Sequence, residues 1–123
     1  MRLKRSRVKQ FYHRAAIPKK DLEGSSYVEY APAGAFQAEE WPGGGKLQAE
    51  RYGQRLPNIR NLRIDSRYRE ISDSGKVCYQ IEGGPLISAD DGICFNVPGN
   101  QEPDYRIVAI YPYRFLTLEV EKL

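Results

Sequence analysis

One histidine, two cysteines and a scatter of acids are the side chains of this 123-residue chain with obvious chemical potential. His13 is the only imidazole, so a Ser-His-Asp or Cys-His mechanism would have to use it. It lies among the bases of the first twenty residues, with no acid nearby in sequence to orient the ring, and a solvated surface histidine is the expectation. Cys78 and Cys94 lack metal-ligand spacing and read as a pair of reduced thiols. Asp90, Asp91, Glu102 and Asp104 could gather round a hard cation, but their spacing fits no EF-hand loop, and a solvated acidic loop is expected. No two carboxylates are singled out for glycoside cleavage. Gly45-Lys46 invites a phosphate-loop reading, yet Glu40 stands where the earlier glycine belongs and Leu47 where Ser or Thr would hold magnesium. The residues thus give no catalytic constellation, and neither enzyme activity, cofactor nor metal is expected.

Charge says more about partners. The first twenty residues hold eight Lys or Arg, among them Arg2, Lys4, Arg5 and Arg7, and no acid. The rest of the chain has more acids than bases, so the net charge of +3 belongs to an N-terminal segment rather than to a basic fold. Residues 82–104 are the opposite pole, with five acids and no Lys or Arg. Opposite poles on one small domain favour self-association or separate partners. In the basic segment Phe11, Tyr12 and His13 interleave with cations, a pattern suited to nucleic acid. An arm that meets acidic loops of neighbouring subunits, or a plainly solvated terminus, reads equally well. No apolar run is long enough to span a membrane, and the bases at the start are not followed by the apolar stretch of a secretory signal.

The elements that would position these groups are mostly strands. One domain with one core is expected at this length. Val8–Tyr12 reads as an edge strand or arm, D-L-E-G-S-S at 21–26 as a turn, and Tyr27–Tyr30 as the returning strand of a hairpin. Phe36, Ala38 and Glu40 alternate with Gln37, Glu39 and Trp41, as on a half-buried strand. Pro42 and the three glycines after it stop that strand. Lys46, Leu47, Gln48, Ala49, Glu50 and Arg51 then form a helix over about 46–53, ended by Gly53 and Pro57 and anchored by Leu47 or Tyr52. Two turns are too few to stand without docking. Further strands follow at Ile59–Asp65, Val77–Ile81, Tyr105–Ile110 and Tyr113–Glu121, with a turn at Ser72–Lys76. Residues 82–104, dense in G-G-P, D-D-G, V-P-G-N and E-P-D, predict a long mobile acidic loop with one short strand at Ile93–Val97. The expected fold is mainly β: a small antiparallel barrel or sandwich of six to seven short strands with one short connecting helix.

Two blocks carry a resemblance. The first is W-P-x-x-G-K-x-Q-A-E-x-Y-G, with Trp41, Gly45, Lys46, Gln48, Ala49, Glu50, Tyr52, Gly53 and Arg55. The second is E-P-D-Y-R-I at Glu102–Ile107, followed by Tyr113 and by Leu116, Leu118 and Glu121. In order and spacing the chain resembles the head–tail joining proteins of tailed bacteriophages, the head-closure or stopper type, in particular the minor capsid versions of Gram-positive phages and prophages. It departs from them at Leu47, where many members carry a second glutamate, and at Ile64–Arg69, where many carry an R-Y-R-P-G strand end.

The resemblance implies a ring of copies, twelve in number, between portal or adaptor and tail. It would lie in the virion neck, after assembly in the bacterial cytoplasm, closing the DNA-filled head and offering a platform to the tail. It further implies that Arg2, Lys4, Arg5, Arg7, Trp41, Lys46, Gln48, Glu50, Tyr52 and Arg55 meet a neighbouring subunit or the adaptor. Pro85, Asp90, Asp91, Glu102 and Asp104 would face the channel, its packaged DNA, or the tail. The competing class is a small soluble β-barrel that binds nucleic acid through the basic arm.

Overall fold

The computed structural model describes residues 7–73 and 75–123. Eleven strands and one α-helix run among them in the order β1 (Val8–Arg14), β2 (Ala16–Lys20), β3 (Ser26–Tyr30), β4 (Gly34–Pro42), α1 (Lys46–Tyr52), β5 (Ile59–Ile64), β6 (Tyr68–Asp73), β7 (Lys76–Ile81), β8 (Leu86–Ile87), β9 (Gly92–Cys94), β10 (Tyr105–Pro112) and β11 (Leu116–Lys122). A 3-10 segment, Gly53–Asn58, joins α1 to β5.

Six strands close an antiparallel barrel in the order β1-β4-β5-β11-β10-β9. Closure follows from alternation: Phe11 on β1, Phe36 and Ala38 on β4, Leu62 and Ile64 on β5, and Leu116, Leu118 and Val120 on β11 all point into one core. Ile93, Tyr105 and Ile107 complete it from β9 and β10. A bulge between Ile107 and Ala109 shifts the β10–β11 register and lets the long strands curl. The sheet β6-β7-β8 is inserted between β5 and β9, and its Tyr79, Ile81 and Ile87 pack into the same core. The hairpin β2–β3 emerges between β1 and β4 and is exposed along most of its length.

Three expectations change here. Val8–Tyr12 is neither an edge strand nor the first strand of the hairpin. It belongs to β1, which pairs with β4 on one side and β9 on the other because Phe11 and His13 both face inward. The hairpin partner of Tyr27–Tyr30 is β2, which the sequence hides behind Pro18 and two lysines. Its turn is the expected one, with Gly24 at φ +86 and Asp21 accepting amide hydrogen bonds from Glu23 and Ser25. Residues 82–104 carry two short strands where one was expected at Ile93–Val97. They contain β8 and β9, with Ile87, Gly92, Ile93 and Cys94 buried, because β9 is the stave that closes the barrel between β1 and β10.

Gly92 is confined by that closure. A Cβ there would meet Pro103 Cγ at 2.4 Å and Tyr30 Cε1 at 2.9 Å. Gly92→Ala is therefore expected to cost about 1–3 kcal/mol, as overpacking does. Urea unfolding with an unchanged slope and a midpoint lowered accordingly would be the sign; an unchanged midpoint would contradict this account.

Candidate functional site

The first motif block carries a dense cluster of side-chain hydrogen bonds. On β11, Thr117, Glu119 and Glu121 alternate with the inward leucines and valine and point out of the barrel wall. Helix α1 lies over that wall. Tyr52 is its buried anchor, while Leu47 is 75% exposed, so of the two anchors the sequence offered it is the tyrosine that docks. Beneath the helix Glu119 is only 2% exposed. Its Oε1 accepts from Arg51 Nη1 at 3.0 Å, Tyr52 hydroxyl at 2.9 Å and Tyr111 hydroxyl at 2.7 Å, and its Oε2 accepts from Gln48 Nε2. Gln48 Oε1 in turn accepts from the Gly44 amide at 2.9 Å, fixing the entry to the helix that no side chain caps. One turn further on, the Arg55 guanidinium forks onto Glu121 at 2.6 and 2.5 Å, and Arg106 approaches the same carboxylate at 3.7 Å.

The electrostatics follow from the packing. Burial works against ionisation of Glu119, but the donors Gln48, Tyr111 and Tyr52 and the charge of Arg51 outweigh it and hold the carboxyl below its ordinary value. Hydrogen bonding from Arg55 lowers Glu121 in the same direction. Tyr111 moves the other way: burial first, then its bond to the Glu119 carboxylate, pushes the phenol up to about 12. A short helix is thus fastened by one buried anion ringed with donors rather than by an apolar stripe.

No protein-family model, curated protein or solved structure matches this chain.

Of the residues singled out in the sequence, Gln48, Tyr52 and Arg55 meet the barrel wall through Glu119 and Glu121, while Lys46 and Glu50 stay exposed on the helix. Trp41 lies apart on β4, its ring flanked by the Arg7 guanidinium at 4.5 Å and that of Arg63 at 5.2 Å. Arg7 also stands 4.0 Å from Glu39, which is buried on the same strand. Arg2, Lys4 and Arg5 lie outside the described residues. Asp90 and Glu102 are exposed, and Pro85 is half-buried. Asp104 turns inward to accept from the amides of Phe95 and Asn96 at 2.6 and 2.9 Å, so it shapes a turn. Among the described residues no three His, Cys, Asp or Glu side chains are placed to hold a metal ion, and no helix is long and apolar enough to cross a membrane.

Asp91 and His13 are the largest departure from the sequence reading. Both were expected at the surface, and both are buried, at 2% and 3% exposure, with His13 Nε2 2.6 Å from Asp91 Oδ2. Asp91 Oδ1 accepts from the Ala16 amide at 3.0 Å, and Oδ2 also from the Ser88 amide at 2.9 Å. The Ser88 hydroxyl donates a hydrogen bond to Cys78 Sγ at 2.9 Å; both cysteines are free and buried. The pair ties β1, the root of the β2–β3 hairpin and the turn before β9 together. The only sequence signal for it was the two-residue step from Phe11 to His13, which puts the imidazole on the core face of a strand.

Proposed function

We propose that this protein is a structural ring component of the head–tail joint of a tailed bacteriophage, of the head-closure type. Copies of the chain, twelve by the resemblance, sit below the portal and adaptor in the virion neck, close the DNA-filled head and give the tail its platform without performing chemistry. One observation carries the reading. The two motif blocks behind the resemblance are brought together by the fold: Arg55 of the first forks onto Glu121 of the second, 66 residues away. They build one helix-on-barrel unit that leaves Lys46, Leu47 and Glu50 facing outward, an apolar side chain between charges. A surface of that composition suits a partner that completes it.

The test is to express the chain with portal and adaptor proteins of such a phage and follow neck assembly and tail joining by electron microscopy. Leu47→Asp sits at an exposed position and should change stability by no more than about 0.5 kcal/mol. Loss of tail joining by about tenfold or more is the expected result. Full joining by this variant together with a Lys46→Glu, Glu50→Lys variant would overturn the placement of the helix face. No ring or neck under any condition would overturn the reading itself.

The second reading, a nucleic-acid-binding barrel, has one feature in its favour: cations and an aromatic on one wall, Arg7, Trp41 and Arg63. The guanidiniums already flank the ring that would stack on a base, which weighs against it. Binding of single-stranded DNA that falls steeply with salt would support this alternative, and no binding at low salt would remove it.

A further inference from the structure

The barrel closes through β9, which pairs with β1 over Tyr12–Arg14 and with β10 over Tyr105–Arg106, and the two smaller sheets have outer edges of their own. At β2 the outer edge is spoiled twice: Pro18 has no amide to offer, and the outward amide of Ala16 is taken by Asp91. The outer strand β8 has only two residues. On these two smaller sheets, two five-residue edges with free amides remain among the described residues, β3 and residues 68–72 of β6.

Their registers can be read. The Ala31 amide bonds Ala15 O, so Ala15/Ala31, Ile17/Glu29 and Lys19/Tyr27 are the hydrogen-bonded pairs of the hairpin, and the main-chain groups of Ser26, Val28 and Tyr30 point away from it. The Glu82 amide bonds Arg67 O, which by the same count sends the groups of Tyr68, Glu70 and Ser72 out from β6. The side chains of the hairpin are as unpartnered as its edge: Tyr27 is 45% and Val28 52% exposed. A two-stranded ribbon is marginal in water unless further strands complete it.

We infer that β3 of one copy adds antiparallel to the β6 edge of a second copy, with Val28 opposite Glu70. This register matches outward groups to outward groups at Ser26 and Val28, while at Tyr30 the carbonyl already accepts from Arg14 Nη2 at 3.0 Å and the amide stays open. It sets Glu29 against Arg69, neither of which forms an ion pair among the described residues, and Tyr27 against Ile71, an aromatic beside a β-branched residue. The two edges are different patches, so the contact is head-to-tail and generates a ring or an open helix. The inference rests on the ring reading above for its premise that copies associate, and it names the surfaces.

Sedimentation velocity over a concentration series tests it. Glu29→Arg or Arg69→Glu alone should weaken self-association about tenfold, and the two together should restore it. Val28→Pro removes no hydrogen bond within the hairpin, since that amide faces outward, yet it should weaken association by a similar factor. As a check independent of affinity, Tyr27→Cys with Ile71→Cys should give a ladder of covalent oligomers on oxidation, with neither single variant going beyond a dimer. Assemblies that form as in the unaltered chain in all these variants would overturn the edge pairing while leaving the ring reading standing. A chain that stays monomeric at every concentration would overturn the edge pairing, and only the further failure of ring and neck with portal and adaptor would overturn both.

Discussion

Asp91→Ala should cost about 3–5 kcal/mol of folding stability, the largest loss expected from any single polar substitution in this chain. The substitution leaves two buried donors, His13 Nε2 and the Ser88 amide, and one part-buried donor, the Ala16 amide, without an acceptor. It also unties β1 from the turn that leads into β9, and β9 is the stave on which closure depends. His13→Ala should cost less, because Asp91 keeps its two amide donors. The two residues are in direct contact, so a double-mutant cycle should return a coupling of about 1–3 kcal/mol. Urea unfolding monitored by circular dichroism gives all four values. An Asp91→Ala chain within about 1 kcal/mol of the parent would show that the carboxylate is solvated in the folded state and that the clasp does not exist.

The second large effect belongs to Glu119. Glu119→Ala should destabilise by about 1.5–3 kcal/mol, the range for hydrogen bonds to a charged group, with the change concentrated in one place. Residues 46–58 should lose amide-exchange protection well beyond the rest of the chain, because two turns of helix cannot hold themselves once the acceptor beneath them has gone. Glu119→Gln keeps the shape but loses the charge, and it should bring the Tyr111 phenol part of the way down from about 12, with burial still holding it above its ordinary value of 10.0. Ultraviolet difference titration reads that shift directly; no movement of any tyrosine would place Tyr111 away from the carboxylate.

The same cluster fixes the sign of the pH dependence. The carboxyl of Glu119 is held below its ordinary 4.5, so its contribution is fully present above that pH and is lost as the pH falls through the folded-state value. The phenol of Tyr111 is held above its ordinary 10.0, so its contribution is full below pH 10 and is lost as the pH rises toward about 12. The helix should therefore loosen at both extremes and be tightest between them.

Much of the framework was written in alternation and punctuation. The two-residue period of Leu116, Leu118 and Val120, and that of Phe36 and Ala38, announced strands with one buried face, and eleven strands with one helix are a mainly β fold of the expected kind. Gly53 ended the α-helix where the rules for helix stops place its end, although a 3-10 segment runs on through Pro57 to Asn58. The turn at 21–26 was legible because Asp and Gly do there what they do in any short turn. Those signals are local, and local chemistry settles them.

What only the tertiary structure decided was which local signals meant burial. An aspartate among D-D-G and a histidine among lysines and arginines look solvated, because sequence shows only neighbours along the chain. Folding sets Asp91 beside His13, 78 residues away, and supplies two amides as well. Glu119 on an outward face looks like an exposed acid until a helix 67 residues earlier settles over it with an arginine, a glutamine and a tyrosine. Inside the turn-rich stretch 82–104 a short strand is legible at 93–97, but not that β9, at Gly92–Cys94, is what the barrel needs to close. A charge is buried only when its partners are delivered from elsewhere, and a strand is a stave only when two others flank it. Both conditions are long-range pairings, and no window of sequence contains them.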